Sequence, residues 1–116
     1  MDLPANATLL RVFLGESDRR NGQPTYEAIV LAARRHGLAG ATVLRGPMGF
    51  GASSHLHTAK ILRLSTDLPI VIEIVDSEAK INSFLPQLDT LMGSGLATLE
   101  QVKVWRYGRR SDERGT

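Results

Sequence analysis

The chain has 116 residues, of which 42% are hydrophobic and 22% charged, with a formal net charge of +2 and no cysteine. One core is the default at this length, and the composition excludes a disordered acidic chain. The missing cysteine excludes disulfides, thiol nucleophiles and cysteine zinc sites, and a charge of +2 is too small to argue for DNA or RNA.

Residues 1–7 read as a flexible N-terminus. "TLLRVFLG", residues 8–15, mixes β-branched, aromatic and aliphatic residues and predicts a strand buried on much of both faces. "ESDRRNGQ" is polar and contains Asn-Gly, a turn signal, after which Pro24 suits the first turn of a helix. Tyr26, Ile29, Val30 and Ala33 follow at helical spacing and Gly37 marks a stop, so the pattern predicts a helix over 24–36. A second strand, around 41–45, leads into "RGPMGFGASSHLHTAK" and a loop over 46–64.

"LPIVIEIVD", residues 68–76, predicts the third strand, with Pro69 confined to its start as a ladder requires. Asp76 or Ser77 can cap a helix on which Ile81, Phe84, Leu85, Leu88, Leu91 and Met92 step by three or four. Pro86 lies inside that pattern and is expected to kink or break the helix. "GSG" ends it, and "LATLEQVKVWRY", residues 96–107, predicts the last strand. The arginine-rich residues 108–116 read as a disordered basic tail. The start lacks the marks of a secretory signal, and the longest apolar run falls well short of the roughly 20 residues of a membrane span, so a cytoplasmic location is expected.

The order β-α-β-β-α-β predicts an α+β fold: a ferredoxin-like sandwich with a four-stranded antiparallel sheet and two helices on one face, spanning 8–107 as a single domain. Right-handed crossovers place the first and third strands side by side in the centre. Both strands carry apolar residues on both faces, so the face without helices needs a cover. Self-association supplies it, because a bare apolar sheet exceeds the few hundred Å² a monomer usually exposes.

Over residues 10–107 the chain resembles the UPF0166 family, a domain of unknown function numbered 190, through "GLAGATVLRG", "GFGASS" and "LPIVIEIVD". The resemblance implies a fold similar to the PII signalling proteins, assembled as a homotrimer with the sheets facing the centre. PII proteins bind adenine nucleotides between subunits and use a loop after the second strand to touch a membrane transporter, a channel or an enzyme. On this reading Gly49, Phe50 and Gly51 are the base of a shortened loop. The turn "MGSGLATLE" departs from the PII pattern: Gly93 and Gly95 have no adjacent lysine, so among the adenine nucleotides AMP, ADP and ATP the resemblance favours a ligand with fewer phosphates, such as AMP, over a triphosphate.

The residues themselves allow a phosphate site. Glycines let a backbone approach an anion closely and present amide donors, a role open to Gly46, Gly49 and Gly51 with Ala52, Ser53 and Ser54. Turning a strand into a loop explains the same glycines. Arg45, Lys60, Arg63 and Arg106 can neutralise phosphate, arginine in a two-pronged contact, although solvated surface charge accounts for any one of them. Phe50 is expected to pack as an anchor for the loop, with stacking on a base the alternative.

His55 and His57 share one face of an extended chain and give the second reading, a metal- or ion-responsive trimer, with His36, Glu16 or Asp18 as further ligands. Glu16 and Asp18 read more simply as a polar turn whose acids accept backbone or arginine hydrogen bonds. No serine has a base placed beside it by sequence, so no enzyme and no required cofactor are expected. RNA-binding domains share this element order, but they stack bases on aromatic residues of the central strands, and "IVIEIV" offers none.

Overall fold

A computed structural model describes residues 3–51 and 67–108. Strand β1 (Asn6–Gly15) is followed by the short strands β2 (Arg19–Arg20) and β3 (Gln23–Pro24), helix α1 (Thr25–Arg35) and strand β4 (Thr42–Arg45). After them come β5 (Pro69–Asp76), helix α2 (Glu78–Leu91) and β6 (Leu96–Lys103). Four strands form one antiparallel sheet in the order β4-β5-β1-β6, so β1 and β5 are central, as the crossover argument requires.

Alternation along β1 and β5 builds the core. Leu10, Val12 and Leu14 pair with Ile74, Ile72 and Ile70 on one face, where they are buried against Ile29, Ala32 and Ala33 of α1 and Ile81, Phe84 and Leu88 of α2. Each fully buried aliphatic or aromatic side chain contributes about 1.5–3 kcal/mol. The other face carries Leu9, Phe13, Val71 and Val75, placed there by the same register, around the side chains of Arg11 and Glu73. No helix covers it.

The helix ends follow from local chemistry. Pro24, with φ −55° and ψ 130°, stands just before α1 rather than inside its first turn, and no side chain caps that end. At the other end Gly37 takes φ +84°, and Leu38 N donates to Ala33 O while Gly37 N donates to Arg34 O, each at 3.1 Å. This left-handed glycine closure satisfies carbonyls that the helix leaves unpaired. Ser77 caps α2, its Oγ accepting from Lys80 N at 3.2 Å. Buried Asp76 faces inward instead, where its carboxylate accepts from Ala39 N at 2.9 Å and Ser77 N at 2.7 Å.

Three expectations need correction. Pro86 does not break the second helix, which runs continuously from Glu78 to Leu91. The last strand ends at Lys103 rather than at residue 107, because its partner β1 runs out: Asn6 faces Lys103, and Val104 N makes a final bond to Ala5 O at 2.8 Å. For the same reason Asn6 and Ala7 belong to the sheet rather than to the segment before it. The Asn-Gly signal marks more than a turn, since Asn21 (φ 53°) and Gly22 (φ 79°) form the two-residue bend of the β2–β3 hairpin.

Candidate functional site

One end of the sheet gathers most of the described residues that the sequence singles out. Gly15 closes β1 opposite Pro69, and Arg45 closes β4 opposite Ile70, so the ends of β1 and β4 and the start of β5 form one corner. Backbone bonds tie it together: Glu16 N donates to Leu68 O and Gly46 N to Pro69 O, both at 2.8 Å. The acidic turn adds side-chain acceptors, with Gly15 N donating to Asp18 Oδ2 at 3.1 Å and Ser17 N to Asp67 Oδ1 at 3.2 Å.

Arg45 reaches across the corner and donates from Nη2 to Glu16 Oε2 at 2.5 Å, with half of its side chain exposed to solvent. A guanidinium has five N–H donors, so this one bond does not exhaust what Arg45 can donate. Glu16 and Asp18 therefore act as the polar-turn reading expects, accepting arginine and backbone hydrogen bonds.

The glycines here have a steric reason. A Cβ on Gly46 would stand 2.8 Å from Pro69 Cγ, and one on Gly49 would stand 3.1 Å from the same atom. Both lie tight against the proline ring, which forms a floor under the root of the loop. Around Gly51, by contrast, none of the described residues lies within 4 Å of the position a Cβ would take. Phe50 does not pack as an anchor against the described residues: it is 69% exposed, and nearby Met48 is 64% exposed.

Arg106 lies elsewhere. It follows β6, whose last paired residue faces Asn6 at the opposite end of β1 from Gly15, and β4 and β6 are opposite edges of the sheet. A single chain therefore keeps Arg45 and Arg106 at opposite ends of the sheet. Ala52, Ser53, Ser54, Lys60 and Arg63, with His55 and His57, lie outside the described residues. His36, a candidate metal ligand by sequence, is engaged with α2: its Nε2 lies 2.8 Å from Ser83 Oγ and its ring 5.5 Å from that of Phe84. Among the described residues, no group of three His, Asp or Glu side chains could hold a metal ion.

Two features escape the sequence. Pro69 is legible there as the start of a strand, but not as the surface against which Gly46 and Gly49 rest. The Tyr107 hydroxyl, which donates to Ala39 O at 3.2 Å, joins residues 68 positions apart and has no local signal.

Two helices on one face of a four-stranded antiparallel sheet make a ferredoxin-type α+β fold, and solved structures of PII-like proteins share it. CPII from Thiomonas intermedia K12, a nitrogen regulatory PII-like protein bound to ADP, AMP and bicarbonate, superposes with a TM-score of 0.60 at 17% identity, over 88% of this chain and 96% of that one. A Thermus thermophilus protein described as PII-like superposes with a TM-score of 0.62 at 20% identity, over 90% and 93% of the two chains. The chain belongs to the DUF190 family (Uncharacterized ACR), which matches residues 7–104. It is 40% identical to a UPF0166 protein of Aquifex aeolicus over 83% of this chain and 90% of that protein. A UPF0166 protein of Methanocaldococcus jannaschii is 36% identical, over 86% and 93% respectively.

Proposed function

We propose that the protein is a PII-like regulatory protein without catalytic activity of its own, which assembles as a homotrimer and binds an adenine nucleotide at the seams between subunits. The observation that carries this reading is the corner itself: half-exposed Arg45 beside a backbone that Gly46 and Gly49 hold on Pro69. A short anion with an attached base suits such a place, and the turn without a lysine favours AMP over a triphosphate. The placement of Arg106 at the far end of the sheet supports a seam, since a second copy is what can bring that cation to the corner. The nucleotides bound to CPII, a protein of similar fold, point the same way.

Regulation follows from differential affinity. A ligand that binds an ordered form of the 46–64 loop more tightly than other forms shifts the population toward it, and a partner such as a transporter, channel or enzyme detects the change. Isothermal calorimetry with AMP, ADP, ATP and cyclic AMP on the folded assembly tests the nucleotide. Heat that saturates with AMP at one site per subunit is the expected result, and no heat with any of the four overturns that part.

A further inference from the structure

The end of the sheet away from the glycine corner carries a cleft of about 480 Å³, lined by Asn6, Thr8, Glu78, Gln101 and Lys103 among others. Its walls follow from the ladder. Asn6 faces Lys103 and Thr8 faces Gln101 between β1 and β6. Residues two apart on a strand share a face, so these four stand on the face of Leu10, beneath the helices. Glu78, the first residue of α2, borders the cleft from the helix layer.

Three groups in this cleft lack a protein partner. Thr8 is 6% exposed, and among the described residues its hydroxyl makes no hydrogen bond. Asp76, directly opposite Thr8 on β5, gives its carboxylate to Ala39 N and Ser77 N. The Thr8 oxygen is nevertheless not sealed in the core, since no fully buried side-chain polar atom goes without a bond among the described residues; it opens onto the cleft. Glu78 and Lys103, an acid and a base on one cleft, enter no ion pair there with each other or with a third residue. An acid at a helix start suits the helix dipole whatever it faces. No such local reason applies to Lys103 or to the buried hydroxyl, and a buried polar group without a protein partner needs water or a ligand to satisfy it.

We infer that this cleft binds a small zwitterion, a free α-amino acid. The ligand's ammonium meets Glu78, its carboxylate meets Lys103 and the Thr8 hydroxyl, and Asn6 and Gln101 offer carboxamides to the rest of it. One charge of each sign disfavours ligands of a single sign: an anion meets Glu78, and a polyamine meets Lys103. The cleft volume lies within the roughly 300–1,000 Å³ usual for small-molecule sites. The site stands apart from the glycine corner, at the other end of β1, and does not depend on the nucleotide reading.

Amide spectra of the nitrogen-15-labelled assembly, titrated with each proteinogenic L-amino acid to millimolar concentration, test it. At least one is expected to shift the Thr8, Glu78 and Gln101 amides saturably. Its N-acetyl and carboxamide derivatives, each lacking one charge, are expected to bind roughly tenfold more weakly or worse, as is the parent amino acid to Glu78→Gln or Lys103→Met. Thr8→Val keeps the side-chain volume and is expected to lose affinity several-fold while retaining its urea midpoint and the heat of AMP binding. No saturable shift with any amino acid overturns the inference. A singly charged derivative that binds as tightly as its parent, or unchanged affinity in all three variants, overturns it too. Shifts of these amides by AMP alone overturn it by giving the cleft to the nucleotide.

Discussion

Arg11 on β1 and Glu73 on β5 stand directly opposite one another, and Arg11 Nε donates to Glu73 Oε2 at 2.9 Å in the middle of the sheet face that no helix covers. Glu100 on β6 approaches the same guanidinium at 3.8 Å. Leu9, Phe13, Val71 and Val75 share this face, so the ions sit in an apolar frame whose closure against other copies would remove them from water.

That setting separates two kinds of substitution. Removing one partner of a desolvated ion pair costs about 3–5 kcal/mol, whereas replacing the whole cluster by apolar side chains is often neutral or stabilising. Arg11→Ala is expected to weaken assembly at least tenfold by sedimentation equilibrium, and the Arg11→Met/Glu73→Met/Glu100→Met variant is expected to keep it. Equal assembly of Arg11→Ala and the wild type would show that this face stays wet.

Gly95 precedes the last strand at φ +123°, and a Cβ there would stand 2.6 Å from the carbonyl oxygen of Phe13. Gly95→Ala combines a strained backbone with a backbone clash, for which a loss of about 2 kcal/mol or more is expected. Gly93, two residues earlier, has nothing within 4 Å of the place a Cβ would occupy, so Gly93→Ala is expected to stay within about 0.5 kcal/mol of the wild type. Urea unfolding of the two variants checks the contrast.

Asp76 is 2% exposed and its carboxylate accepts two backbone amides, those of Ala39 and Ser77. Asp76→Ala leaves both donors without this acceptor in a buried place, and a loss of about 2–4 kcal/mol is expected. Asp76→Asn keeps one acceptor oxygen and is expected to lose less. Parallel urea titrations of the two variants distinguish lost bonds from a general intolerance of change at this position.

The Arg45–Glu16 pair lies near the surface, where ion pairs are worth about 0–1 kcal/mol, so Arg45→Ala is expected to change stability by no more than that. Its effect on AMP binding is larger: a hydrogen bond to a charged group contributes about 1.5–3 kcal/mol, which is roughly a tenfold or greater loss of affinity. Glu16→Gln removes the competing carboxylate and is expected to bind AMP at least as tightly as the wild type. Calorimetry on both variants reads these effects, and equal affinity in Arg45→Ala would remove that residue from the site.

The periodicities of β1, α1, β5 and α2 made the layers and the central strands legible, because each element buries one face and the spacing of Leu10, Val12 and Leu14 or Ile81, Phe84 and Leu88 records which. A break at Pro86 does not occur, since the lost amide bond weighs less than the burial of Phe84 and Leu88 on either side of it. The end of β6 was not legible either. Val104, Trp105 and Tyr107 have strand-like side chains, but pairing depends on where β1 begins. The site was visible as residue types and not as a place: nothing local states that Pro69 lies beneath Gly46, or that Arg106 lies beyond the far end of the sheet.

The separation of loop root and C-terminal segment at opposite ends of the sheet has a consequence for how this family changes over time. In the proposed assembly, a substitution near Gly49 and one near Arg106 meet through a second product of the same gene. Their compatibility is then judged between molecules, so the two stretches are expected to covary despite having no contact inside either chain.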